Sequence, residues 1–191
     1  MRRLITALIV SLALTGACGQ LAAKKIATYG VAFYNLENLF DTINNNGKYD
    51  LEFSPKGSYR WDGKKYWSKI RNIGYSISQM TTRTTPDGPA VIGVSEIENI
   101  TVLQDLVKDP QIKDRNYGII HHDSPDRRGV DVGLLYNPKF FRPLRTTNHV
   151  LAIDSMPWFK TRDQMCVVGL LGNKVTGYSR VAVIVNHWPS R

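Results

Sequence analysis

Residues 90–99 read Ala90-Val91-Ile92-Gly93-Val94-Ser95-Glu96-Ile97-Glu98-Asn99. The apolar run from Ala90 to Val94 has the length and composition of a buried strand. Glu96 follows it after Ser95. A carboxylate at the end of a buried strand is costly to desolvate unless it has a partner, and a hard divalent cation is a natural one. Glu98 has the same side-chain parity as Glu96 in an extended chain and can assist. Its other role is near the start of the following helix, where negative charge is favourable. Asn99 is placed to cap that helix, which carries Val102, Leu103, Leu106 and Val107.

Outward from this stretch, Lys64 to Arg83 carries Tyr66, Trp67, Ile70, Ile73, Gly74, Ile77 and Met80 at steps of three and four. The spacing predicts an amphipathic helix with an aromatic and aliphatic core stripe, stopped by the turn chemistry of Thr84 to Pro89. Ile26 to Tyr34 is rich in β-branched and aromatic residues and predicts a first strand, which runs into the mixed segment Asn35 to Asp41. The turn residues Asn44-Asn45-Asn46-Gly47 and Ser54-Pro55-Lys56-Gly57 mark a loop. After Asn116 only strands are predicted: Tyr117 to His121, Val130 to Tyr136, Thr146 to Ile153, Met165 to Leu171 and Arg180 to Asn186. Strand, helix, strand, helix and then a run of strands implies an α/β (α+β) layered fold with mixed or antiparallel sheets. It excludes a doubly wound domain, which needs helices between its late strands.

The chain has 191 residues, is 42% hydrophobic and 21% charged, and bears a formal net charge of +9. These values exclude wholesale disorder and suit one domain with its own core. Two cysteines, Cys18 and Cys166, exclude a disulfide scaffold. Cys166 is expected to be a small buried residue. Arg2 and Arg3, the apolar run Leu4 to Leu14 and the small residues 15–19 have the layout of an export signal over residues 1–23. Cleavage before Cys18 would give a lipid-anchored form, and cleavage elsewhere a soluble periplasmic or secreted one. The folded unit is expected over residues 24–191.

Three predicted strands end in polar clusters: Asn35-Leu36-Glu37-Asn38, Glu96-Ile97-Glu98-Asn99 and Asn186-His187-Trp188. One such cluster is what any strand reaching solvent shows; three together describe a pocket whose groups are aimed by rigid strands. Other signals fail. His121-His122 are adjacent and point apart in a strand, so they do not share a zinc ion. There is no His-Glu-x-x-His, no Walker loop and no Gly-x-Ser-x-Gly. Lys48, Lys56, Arg60, Lys64, Lys65, Lys69 and Arg71 lie among Tyr49, Tyr59, Trp61 and Tyr66, which reads either as a nucleic-acid flank or as plain solvated surface.

Asn35, Glu96 and Asn186-His187, each after a strand, together with Asp123-Ser124-Pro125-Asp126-Arg127-Arg128-Gly129-Val130-Asp131-Val132, resemble the endonuclease/exonuclease/phosphatase superfamily in its exported bacterial branch. The resemblance spans about residues 26–191. It implies a DNase I-like four-layer α/β/β/α sandwich and a metal-dependent hydrolase of phosphodiesters or phosphomonoesters. By that resemblance Glu96 is the Mg2+ ligand, with Mn2+ or Ca2+ as substitutes. Asn35 orients the phosphate or a metal-bound water. His187 hydrogen-bonds the scissile phosphate or moves a proton, and Arg128 and Asn186 contact the phosphate. The partners implied are nucleic acid or another phosphoester, with no obligate protein. The family's later Gly-Asp-x-Asn and Ser-Asp-His segments do not occur here. The chain is therefore read as the N-terminal part of a larger domain, incomplete at its C-terminus and inactive alone. The alternative is an exported module that keeps the fold and only grips polyanions or a surface partner.

Overall fold

Alternation along the strand Pro89–Ile97 (β2) sends Ile92 and Val94 to one side and Val91 to the other. Each side has its own core, so the strand lies in a middle layer. The computed structural model describes residues 26–43 and 49–188. The predicted signal over 1–23 with Cys18, the turn at 44–47 and residues 189–191 lie outside them. A first sheet has the order β1 (Gly30–Leu39), β2, β4 (Asp131–Tyr136), β3 (Gly118–His121). β1 and β2 run parallel, and β2–β4 and β3–β4 antiparallel. A second sheet is the antiparallel meander β5 (Phe141–His149), β6 (Gln164–Asn173), β7 (Gly177–Val185).

Helices α1 (Gly63–Ser78) and α2 (Ile100–Val107) cover one face of the first sheet. Ile70, Ile73, Ile77, Val102, Leu103 and Leu106 meet Leu36, Ile92, Val94 and Leu135 there. The other face buries Val91, Val132 and Leu134 against Phe141, Met165, Val167 and Val185 of the second sheet. The described residues thus form an α/β/β stack of the α+β class, three layers of the expected four. The exposed Tyr178, Arg180, Ala182 and Ile184 lie on the outer face of β7.

Most predicted elements are present with shifted ends. Helix α1 begins at the cap Asp62, whose carboxylate accepts the Lys65 N–H. It stops at Ser78, five residues before the expected Arg83. The Arg115 guanidinium takes the Ile77 and Ser78 carbonyls at 2.8 and 2.7 Å. The Thr82 hydroxyl accepts the Thr85 N–H at 3.0 Å, an alternative to helical pairing. Trp67, expected in the core stripe, is half exposed; Tyr66, Ile70, Ile73, Gly74 and Ile77 form it instead. Asn99 caps α2 as predicted, accepting from Thr101 and Val102 N–H. Cys166 is not buried: inward Met165 and Val167 leave its thiol on the outer side of β6. Strand β5 begins at Phe141 rather than Thr146, and β1 runs through Leu39 instead of ending at Tyr34.

That last extension matters. In β2 the residues facing the helices are Ile92, Val94 and then Ile97, an interval of three where a regular strand has two. Glu96 supplies the extra residue with φ of +58°, and the pairing to β4 shifts there. β1 does the same: Leu36 and then Leu39 face the helices, with Glu37 and Asn38 at φ +53° and +58° between them. Two parallel neighbours thus carry left-handed bulges side by side. A bulge re-aims a side chain that would otherwise point into the core.

Candidate active site

Asn35 pairs with Ser95 across β1 and β2, so both bulges sit at one end of the sheet. The β1 bulge gives its Asn38 N–H to Glu96 Oε2 at 3.1 Å. The other oxygen, Oε1, lies 3.2 Å from His187 Nε2. His187 follows β7, so this contact joins the two sheets at the site. Asn35 Oδ1 accepts the Glu37 N–H at 2.8 Å, which fixes the amide and leaves its Nδ2 as a donor. Asn186 and His187 line a small concavity of about 140 Å³ with Arg162, Leu151 and Trp188. A wider groove of about 700 Å³ opens from Asn35 and Glu37 along α1.

Arg162 was not singled out in the sequence. Its side chain is 4% exposed, and its Nε lies 3.4 Å from Asp126 Oδ2. Neither Nε nor Nη1 has a hydrogen-bond partner. A buried guanidinium with idle N–H groups is poorly solvated, and burial lowers its proton affinity, opposed by Asp126. Arg128 is half exposed, 4.0 Å from Asp126 Oδ1, and its N–H donates to that oxygen at 2.9 Å. Both cations act on His187. Burial first, and then Arg162, hold its imidazole below the ordinary range, while Glu96 pulls the other way. The lowered proton affinity favours the neutral imidazole, which has one nitrogen to donate and one to accept.

The parity argument for Glu98 fails because the bulge breaks parity. Glu98 is buried and accepts the Asp41 N–H at 2.7 Å. Asp41 in turn accepts from the Asn99 amide at 3.0 Å. Glu98 thus ties the end of β1 to the start of α2, away from Glu96.

The basic and aromatic flank is partly closed by packing. Phe53 stacks between Phe40 and Tyr59, with Trp61 at its edge, and Tyr66 is buried. Lys65 Nζ donates to the Tyr59 carbonyl at 2.6 Å, and Lys69 Nζ to those of Glu37 and Asn38. Phe53, with a ring on each face, has none free for a base, whereas half-exposed Tyr59 is covered on one face only. Elsewhere, ligand atoms of His121, Asp123 and Asp131 lie within 4.8 Å of one another. The Asp131 carboxylate is already engaged by the Ser124 N–H and hydroxyl at 2.9 and 2.6 Å and by His121 at 3.2 Å. His122 turns to Asp163 instead, so the adjacent histidines do face different partners.

An α+β stack with a carboxylate, an imidazole and two guanidiniums at one end of its inner sheets is a scaffold suited to anionic ligands. The chain belongs to the Endonuclease/Exonuclease/phosphatase family, whose sequence model matches residues 30–191. No curated protein matches the chain. Among solved structures it is similar to an endonuclease/exonuclease/phosphatase family protein from Bacteroides thetaiotaomicron. That pair has 16% identity and a TM-score of 0.48, covering 81% of this chain and 48% of that one. It is also similar to the mannosyl-6-phosphatase of Bacteroides thetaiotaomicron, with 18% identity and a TM-score of 0.49, covering 82% and 51%. The human Nocturnin catalytic domain matches at 18% identity and a TM-score of 0.37, over 54% and 38%. The chain spans about half the length of the first two.

Proposed function

We propose that this chain supplies one wall of the active site of a divalent-metal-dependent phosphoester hydrolase. The observation that carries the reading is the buried Arg162 beside the Glu96–His187 pair: its Nη1 has no hydrogen-bond partner, and its Nε has only the 3.4 Å ion pair with Asp126, outside hydrogen-bond geometry. Idle buried N–H groups of a cation are satisfied by an anion with several acceptor oxygens, and a phosphoryl group is one. Glu96 suits a hard divalent ion such as Mg2+, Mn2+ or Ca2+, because its oxygens are near the surface of the cluster and bound to one N–H and one imidazole. When bound, such an ion would neutralise charge developing on the phosphate and leaving oxygen.

The chain's own groups do the rest. Arg162 holds the phosphoryl oxygens and Arg128, more exposed, closes over them. Asn35 Nδ2 and the Asn186 amide orient the same group. Preorganised donors of this kind are worth most where water is excluded, and Arg162 sits in such a place. His187, neutral and 3.2 Å from Glu96, holds or moves a proton at Nε2 next to the reacting phosphate. The reaction is water attacking phosphorus with loss of an alcohol or nucleoside leaving group. On residues 1–23 we place the protein outside the cytoplasm, as a soluble or Cys18-anchored form. N-terminal sequencing of the mature protein tests this, and an intact Met1 would refute it.

The deciding assay uses the full-length protein to which this wall belongs, with bis-p-nitrophenyl phosphate and p-nitrophenyl phosphate, in EDTA and with Mg2+ restored. Hydrolysis that stops in EDTA and returns with Mg2+ is expected. Equal rates in chelator would sink the metal reading. Orthophosphate binding without hydrolysis of either ester would establish the polyanion-binding module instead.

A further inference from the structure

We infer that Lys69 is a positioning residue for the metal ligand: its ammonium locks the β1 bulge and so aims the backbone N–H that orients Glu96. This rests on the reading of Glu96 as a metal ligand. Lys69 Nζ donates to the Glu37 carbonyl and, at 3.3 Å, to that of Asn38. Those peptides belong to the two left-handed residues of the bulge. A non-glycine residue in that region costs on the order of 1–2 kcal/mol, so the bulge persists only where its surroundings hold it. With the Glu37 carbonyl turned to Lys69, the N–H of the same peptide, that of Asn38, points to Glu96 Oε2 at 3.1 Å. One half-buried cation thereby sets the orientation of a proposed site residue, Glu96, without touching its side chain.

The ammonium is itself held in place. It lies 5.6 Å from the Trp61 ring centroid, and Trp61 Nε1 donates to the Phe40 carbonyl at 3.0 Å, just past the bulge. Burial lowers the proton affinity of Lys69, and Glu37 and Glu96 oppose that. No other lysine or arginine among the described residues donates to these carbonyls. An outer-shell partner of a metal ligand typically carries roughly 10–100-fold of the metal affinity.

The test is Mn2+ binding by the full chain, measured by titration calorimetry and by the bound-ion electron paramagnetic resonance signal. Wild type is compared with Lys69→Met, Lys69→Arg, Glu96→Gln and Lys69→Met/Glu96→Gln. Thermal melts in EDTA accompany each. Lys69→Met should bind Mn2+ about 10–100-fold more weakly, and Lys69→Arg should recover most of that loss. The double variant should bind no more weakly than Glu96→Gln alone, because Lys69 acts through Glu96. Where Lys69→Met does not fold, Lys69→Gln, which still reaches one carbonyl, takes its place with an intermediate loss expected. Glu96→Gln losing Mn2+ while Lys69→Met or Lys69→Gln keeps wild-type affinity overturns this inference alone. Glu96→Gln keeping wild-type affinity overturns the metal-ligand reading and this inference with it.

Discussion

Glu96 and Glu98 stand two residues apart, yet the bulge gives them unrelated tasks, and paired Gln substitutions separate them. Glu98 is 4% exposed and accepts the Asp41 N–H at 2.7 Å. Glu98→Gln keeps an acceptor oxygen but loses the charge assistance and introduces an amide donor into a closed space. A hydrogen bond to a charged group contributes about 1.5–3 kcal/mol, which in a chain of this size lowers the melting temperature by roughly 3–12 °C. Metal affinity should not change, since Glu98 faces Asp41 and not the site. Glu96→Gln reverses the pattern. Gln can still accept the Asn38 N–H, and the loss of a partly buried charge offsets what the His187 contact gave, so stability in EDTA should hold within about 1 kcal/mol. Removing a direct carboxylate ligand should lower Mn2+ affinity by more than about 100-fold, beyond what an outer-shell change costs. Calorimetric titration with Mn2+ and melts in EDTA give both numbers for both variants. If Glu98→Gln were the variant that lost the ion while Glu96→Gln melted lower and bound it normally, the assignment of the bulge would be refuted.

Three further outcomes are expected. Arg162→Met should weaken orthophosphate binding and lower kcat/KM on both nitrophenyl esters by on the order of 100-fold, with Asp126 left buried and short of a partner, so the melt falls as well; unchanged phosphate affinity would remove the main support for the anion site. Burial, followed by Asp131, raises the Asp163 pKa above the ordinary value, opposed by His122. The folded chain therefore holds that proton more tightly than the unfolded one, and stability falls as pH rises from the ordinary Asp range through the raised value. Asp163→Asn should remove this slope, and parallel melting curves for the two proteins from pH 3.5 upward, taken in roughly half-unit steps, would contradict it. Gly169→Ala would put a Cβ 2.3 Å from Phe141 Cζ and 2.8 Å from the Arg142 carbonyl, and Phe141 is 1% exposed, so a loss of about 1–3 kcal/mol is expected in urea unfolding.

Element types were legible because periodicity survives without any knowledge of contacts. Ile70, Ile73 and Ile77 marked α1, and Val181, Val183 and Val185 marked the inner face of β7. The polar strand ends at Asn35, Glu96 and Asn186-His187 were visible for the same reason: each follows an apolar run. What stayed hidden depended on backbone geometry or on partners distant in sequence. A left-handed Glu runs against residue preference, so nothing at Glu37 or Glu96 announced a bulge, and regular alternation wrongly paired Glu96 with Glu98. Thr161-Arg162-Asp163 reads as a charged surface link until β6 is placed beside Asp126. Lys69 looked like one more solvent-facing charge because its carbonyl partners lie about thirty residues upstream. The early stop of α1 likewise rests on Arg115, thirty-eight residues from Ile77.

The contact between His187 and Glu96 also has a kinetic meaning. The meander β5–β6–β7 pairs neighbours in sequence, whereas β1–β2 must close a crossover from Leu39 to Pro89 that includes α1. Local pairings form sooner than those that first enclose a long loop. The imidazole follows one sheet and the carboxylate ends a strand of the other, so the 3.2 Å contact exists only when the sheets have closed on Val91, Leu134 and Val185. A chain caught earlier would hold secondary structure without this contact, so the Glu96–His187 cluster and completion of tertiary docking arrive as one event.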